Sequence, residues 1–272
     1  EMRADVHMHT NFSHYSESIP EEMIHGAIEK GLEVICFTDH FDKDNMSWGL
    51  EDIFDPEAYF QAMIPLREKY RGRIDVRIGV ELGMQPHLAE FYNQFVRRYP
   101  FDFVIGSLHS ILGKDVVYGM QHDEDFQRRP DEEIYRIALE EMLEDVKSHE
   151  EFDVLGHLDY VVRYGKEREK QYSYKKYADL IDEILRTVIA KGKGIELNMA
   201  GLKYGLPFAH PHPDVLKRYK ELGGEIITVG ADGHKPEHIA YDYEKVSEIL
   251  KSCGFRYYTE FSERKPVFLE LP

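Results

Sequence analysis

The chain has 272 residues, 51 acidic and 34 basic, for a formal net charge of −17. That charge excludes the cationic stripe a nucleic-acid surface needs and disfavours docking on an anionic membrane, while 42% apolar and 31% charged residues allow a sizeable core rather than a disordered chain. The apolar stretches are strand-sized, well short of the roughly 20 residues that span a bilayer; residues 1–5 lack the apolar core of a signal peptide; and two cysteines, Cys36 and Cys253, make neither a thiolate zinc site nor a disulfide framework, so a cytoplasmic globular protein is expected.

Along the chain, strand-like and helix-like segments alternate. Strand Ala4–His9 precedes helix Pro20–Lys30, and Val34–His40 precedes Pro56–Tyr70. Asp75–Glu81 is followed by Leu88–Tyr99, Phe103–His109 by Asp131–His149, and Val154–Asp159 by Tyr174–Lys191. Ile195–Asn198 leads to Asp214–Leu222, and Ile226–Asp232 to Tyr241–Ser252. The strands are apolar or β-branched through their middles, as strands covered on both faces are. Gly31, Gly72, Gly192, Gly223 and Gly254 stand just past helical runs, where a left-handed stop is wanted. Ser18-Ile19-Pro20-Glu21 has the spacing of a capping box. Phe255–Phe261 and Lys265–Leu271 read as two further extended pieces. Seven strand–helix units in strict alternation predict parallel strands joined by right-handed crossovers, at a length near the roughly 250 residues of a closed α/β barrel. No linker or repeat divides the chain, so one domain over residues 1–272 is expected. The glycine-rich first turn of a nucleotide-binding open sheet is missing.

The chemistry-bearing residues fall at the strand ends. His7 and His9 close the first strand, Asp39-His40 the second, Glu81 the third and His109 the fourth. His157 and Asp159 close the fifth, Glu196 and Asn198 the sixth, Asp232 and His234 the seventh. In an α/β barrel those ends converge on one rim. His7 and His9, two apart on an extended strand, face one side and can share a metal. Carboxylates with imidazoles and no sulfur suit zinc, manganese or iron, and Glu81 could bridge two ions. Each feature alone has an ordinary explanation as core or surface; buried together without a cation, they would carry a large desolvation penalty. His25 and His149 lie in helix patterns, and His87, His122 and His238 near loops or helix starts. His210 and His212, between prolines, suit a helix entry better than a metal pair. Cys36 reads as core.

The runs His7-Met8-His9-Thr10, Thr38-Asp39-His40, Gly79-Val80-Glu81, Gly106-Ser107-Leu108-His109, Gly156-His157-Leu158-Asp159 and Gly230-Ala231-Asp232-Gly233-His234 resemble, in order, the motifs of the PHP (polymerase and histidinol phosphatase) superfamily. The resemblance implies a distorted (β/α)7 barrel carrying two to three divalent ions. Carried over, the first ion would take His7, His9, Glu81 and Asp232; the second His14, His40 and His234; the third Glu81, His109 and His157. A stand-alone acidic chain of this length resembles the superfamily's monofunctional histidinol-phosphate phosphatases, and Arg163 matches the region of their phosphate-binding arginine. The expected reaction is metal-assisted hydrolysis of a small phosphate monoester, L-histidinol phosphate, in histidine biosynthesis. Glu81 would serve the catalytic water, and Asp232, His234 or a water would protonate the leaving oxygen. Glu17 or Asp42 could meet the substrate's ammonium. No nucleic acid, membrane or protein partner is expected. The rivals are a PHP-type exonuclease or nucleotide phosphoesterase, an amide or lactone hydrolase of another barrel family, and a non-catalytic metal-binding protein.

Overall fold

In the computed structural model, which describes residues 1–272, seven parallel strands lie side by side in chain order. They are β1 (Ala4–Asp5), β2 (Val34–Phe41), β3 (Asp75–Gly83), β4 (Phe103–Ser107), β5 (Val154–Leu155), β6 (Gly194–Asn198) and β7 (Ile227–Gly230). The main intervening helices are α1 (Pro20–Glu29), α2 (Pro56–Lys69), α3 (Ala89–Arg98), α4 (Asp131–Ser148), α5 (Ala178–Ala190), α6 (Pro213–Glu221) and α7 (Val246–Ser252). All seven expected units form. The five helix-stopping glycines have φ between 73° and 100°. Pro20 sets the start of α1 one residue later than the capping box assumed, so Ile19 is the N-cap. The Ser18 hydroxyl turns to the His234 carbonyl instead.

The first and last strands close the barrel beyond their regular ladders. Val6 N–H donates to Val229 O, Asp232 N–H to His7 O at 2.8 Å and His9 N–H to Gly233 O at 2.9 Å. A Cβ on Gly230 would collide with His7, so this closure needs glycine. The ladder assigns only two residues to β1, not the six expected, because the side-chain alternation slips. Ala4 and Val6 face the barrel interior, yet His7 and His9 do too. The slip is held by the buried Asp5 carboxylate, which accepts from the backbone N–H of His7, Ala231 and Ala240.

The interior is layered. At the N-terminal end of the strands Ala4, Val6, Val34, Cys36, Phe103, Ile105 and Val154 pack together. The tail hairpin, β8 (Tyr257–Ser262) and β9 (Lys265–Glu270), seals that end by inserting Phe261 among them. Polar residues fill the C-terminal end. A larger apolar cluster lies between sheet and helices. No helix is long and apolar enough to cross a membrane.

Candidate metal centre

The same alternation that puts Cys36 and Val34 in the apolar layer carries His40 to the rim, and Ile105 is likewise followed by Ser107. Glu81, fully buried, is the hub. Its Oε1 lies 3.2 Å from His7 Nε2, 3.4 Å from His9 Nε2 and 3.3 Å from His40 Nδ1. Its Oε2 lies 3.2 Å from His109 Nε2 and 3.3 Å from His157 Nε2, and accepts from Ser107 Oγ at 2.7 Å. Asp232 Oδ1 is 2.9 Å from His9 Nε2 and 3.2 Å from His7 Nε2.

This set needs positive charge. A neutral imidazole has one N–H. His7 Nδ1 is taken up by Glu196, and His109 Nδ1 by Asp42 at 2.8 Å. Facing carboxylate oxygens in a dry interior, their Nε2 atoms need either a second proton on each ring or a metal cation between ring and carboxylate. Four donors about 2.0–2.1 Å from zinc stand about 3.3 Å apart at tetrahedral corners. The spacings among His7, His9, Glu81 and Asp232 match that, and their donor atoms form one compact group. Glu81, His109 and His157 form a second, His9, His40 and His234 a third, and His40, Asp42 and His109 a fourth. The residues fit divalent ions, and the chain belongs with divalent-metal proteins.

Surrounding groups fix the donors. Ser13 Oγ stands 3.4 Å from His9 Nδ1 and donates to Asp39 Oδ1 at 2.7 Å, which leaves His9 Nε2 as the free donor atom. Glu196 Oε1 accepts from His157 N–H and Asn198 Nδ2, and Asn198 Nδ2 also reaches Asp232 Oδ2 at 3.2 Å. Burial pushes the Glu81 carboxyl up, but His7, His109 and His157 overcome it and hold it well below the usual carboxylate range. Asp232 is held low in the same way by His7 and His9. Burial, then repulsion from His40 and His234, drives His9 well below the usual imidazole range; burial brings His234 down to about 4 against the pull of Asp232. Both are neutral ligand-ready rings near pH 7.

His14 stands apart from this set. Ser13 turns inward to Asp39 and His40 N–H, which sends the next side chain out. His14 is exposed and its Nε2 meets the Glu51 carbonyl at 2.9 Å. Beside His40 and His234 stands His9 instead, which stacks on both at 4.0 and 4.4 Å. Asp42 lines the cavity, its Oδ2 against His109 and its Oδ1 without a partner, and Glu17 is exposed in a different hollow. His210 is buried against Asp159 at 2.7 Å, outside the cavity lining, and His212 caps α6.

Above the hub opens a cavity of about 430 Å³ lined by His40, His109, His157, Asp232 and His234. Tyr15, Trp48 and Leu50 form one wall. Arg163 stands on the other, 8% exposed, its Cζ 4.1 Å from the Tyr204 ring centre, 5.2 Å from Tyr160 and 5.9 Å from Tyr164. No carboxylate pairs with it, and its Nε and Nη2, the side-on fork of the guanidinium, have no partner. A buried guanidinium without a counter-charge on a cavity lining is a seat for an oxyanion. Composition could not have revealed Tyr204 here, since it arrives from another loop; Tyr160 and Tyr164 flank Arg163 locally.

Comparisons with known proteins agree with this geometry. Residues 5–200 match the PHP domain family. The histidinol-phosphatase of Lactococcus lactis subsp. lactis (strain IL1403) is 33% identical over 97% of this chain and 96% of its own. A Clostridium acetobutylicum protein named "Probable histidinol-phosphatase" is 32% identical over 98% and 96%. The crystal structure of the Lactococcus lactis histidinol phosphate phosphatase, complexed with zinc, L-histidinol and phosphate, superposes with a TM-score of 0.87 at 32% identity, covering 97% of this chain and 98% of that one. From the sevenfold barrel, the imidazole–carboxylate rim and these matches, the chain belongs to the PHP domain family.

Proposed function

We propose that this chain hydrolyses L-histidinol phosphate to L-histidinol and inorganic phosphate, a step of histidine biosynthesis, with two to three divalent ions (zinc, manganese or iron). The observation that carries the metal part is Glu81, faced by five imidazole nitrogens within 3.4 Å. The first ion is assigned to His7, His9, Glu81 and Asp232, the second to His40 and His234, the third to Glu81, His109 and His157. Such ions supply Lewis acidity and an activated water in phosphoester hydrolysis.

The chain's own residues do the rest. Arg163, on the cavity lining without a counter-charge, binds phosphoryl oxygen and offsets the charge redistributed over it in the transition state. Glu81, anionic and accepting from Ser107, keeps the hub negative and orients the activated water. Asp232 and His234 line the cavity, and His234 Nδ1–H donates to the Asp232 carbonyl, leaving Nε2 free. Proton transfer at the leaving oxygen is assigned to Asp232, whose Oδ2 meets only Asn198 Nδ2, with water as the proton source. The net charge of −17 and the absence of a basic groove around the cavity favour a small ester over nucleic acid. Both cysteines are free and buried, as suits a cytoplasmic protein.

The test is phosphate release from L-histidinol phosphate by purified protein, with metal content measured on the same sample and other phosphomonoesters and short oligonucleotides alongside. Fast, selective release with two to three metals per chain is expected. Full metal loading with equal turnover of the whole panel would overturn the substrate assignment.

A further inference from the structure

Arg163 belongs to a short 3-10 turn, Tyr160–Tyr164, whose own tyrosines are the more distant of its three aromatic neighbours. The nearest ring, Tyr204, comes from the segment after β6, directly behind the four-residue helix Ala200–Lys203. That ring is 45% exposed, so burial does not hold it in place. Two anchors hold its segment instead. At the near end Asn198 Oδ1 accepts from Ala200 N–H while Asn198 Nδ2 bonds Asp232. At the far end Arg168 Nη2 donates to the Tyr204 carbonyl at 2.6 Å.

Arg168 is built for reach at some cost. Its backbone takes the left-handed φ of +52°, which a non-glycine residue adopts reluctantly. Its Nε is buried without a partner. Its loop is pinned from behind: the Asp131 carboxylate accepts from Lys166 N–H and Glu167 N–H at 2.8 and 2.7 Å, and Tyr135 Oη–H donates to the Arg168 carbonyl at 3.0 Å. A rigid loop thus extends one side chain across to the next loop and grips the backbone of the residue stacked on Arg163. Stacking covers the faces of a guanidinium and leaves its edges as the places for an anion.

We infer that Arg168 is a positioning residue for the oxyanion seat: by holding Tyr204 on the guanidinium of Arg163, it keeps that guanidinium in place beside the cavity. The inference rests on the phosphate-binding role proposed above for Arg163.

The experiment compares Arg168→Ala, Arg168→Lys, Tyr204→Ala, Arg163→Ala and the double variant Arg163→Ala/Arg168→Ala in metal-loaded full-length protein, reading KM and kcat for the phosphate ester and inhibition by inorganic phosphate. Arg168→Ala is expected to raise KM and the phosphate inhibition constant about tenfold, as loss of a partly desolvated cation–π contact implies, with kcat within about threefold. Tyr204→Ala should reproduce that, Arg168→Lys should restore much of it through one donor to the Tyr204 carbonyl, and the double variant should be no worse than Arg163→Ala alone. An unchanged KM in Arg168→Ala, an innocent Tyr204→Ala or additive losses in the double variant would each overturn the inference. If Arg168→Ala loses its melting transition or its metal, Arg168→Lys and Tyr204→Ala decide. Phosphate inhibition that survives Arg163→Ala would instead overturn the underlying role of Arg163, a result distinct from any failure of Arg168.

Discussion

Both ends of the barrel bury charge and do opposite things with it. At the N-terminal end Glu260, 1% exposed, is met by Arg3 through two bonds of 2.8 and 3.0 Å and by Arg77 at 3.3 Å. Asp153 pairs with Arg264 at 2.7 Å and accepts from Val104 N–H, and Asp102 accepts from Ile78 N–H and Glu263 N–H. Each of those carboxylates is answered inside the chain, and the result is a seal that stitches the tail hairpin to the strands. At the C-terminal end Glu81 and Asp232 are crowded by imidazole nitrogens with no Lys or Arg among them, and no carboxylate pairs with Arg163. Buried charge is costly either way. Where the chain supplies the counter-charge the group serves folding; where it withholds it the group awaits a ligand.

Breaking the hub should separate the ends most sharply. Glu81→Ala removes the carboxylate shared by two donor groups, and activity is expected to fall by about 10³-fold or more. Metal content, measured by elemental analysis of the purified variant, should fall with it; full metal content with near-normal turnover would show that the hub is structural, like its counterpart below. Next in size is Arg163→Ala, expected to lower kcat/KM about 10²-fold by removing a charge-assisted contact. Steady-state kinetics on the phosphate ester check this.

The lower end answers to stability instead. Glu260→Gln leaves Arg3 and Arg77 facing a neutral amide; since Arg3 is a third exposed, the expected cost is about 2–3 kcal/mol, read from denaturant unfolding, with kcat unchanged. A drop in kcat matching the loss of stability would mean the two ends are coupled through the barrel. Removing metal with a chelator offers the reciprocal probe. It strips the counter-charge from the upper end only, so the melting temperature should drop, and the Glu260→Gln penalty should add to it rather than overlap.

This division also explains what could be read from sequence. Strand ends of a parallel barrel share one rim, so His7, His40, Glu81, His109, His157 and Asp232 declared their gathering through position alone. The lower end was silent, because Arg3, Arg77 and Glu260 are ordinary charges on the chain until the tail folds back 257 residues away from Arg3. The slip between Val6 and His7 was hidden too, since a period-two pattern carries through a two-residue strand without showing where its phase changes. Tyr204 reaches the site by tertiary contact and carries no local signal.

His14 tests the comparison at its finest grain. It follows Ser13, the last residue of the turn to point inward, and sits among exposed groups, hydrogen-bonded to the Glu51 carbonyl and Asp52. It lies beyond the boundary where charge goes unanswered, so His14→Ala should change kcat/KM by no more than about twofold and leave metal content intact, as surface substitutions do. Ser13→Ala, one residue earlier, breaks the link from Asp39 to His9 and should weaken metal binding by about tenfold or more, the usual penalty for losing a group that orients a ligand. Metal titration of the two variants side by side therefore locates the edge of the site between adjacent residues. A His14→Ala variant that loses metal as Ser13→Ala does would move that edge outward and require the Thr10–Tyr15 turn to rearrange when ions bind.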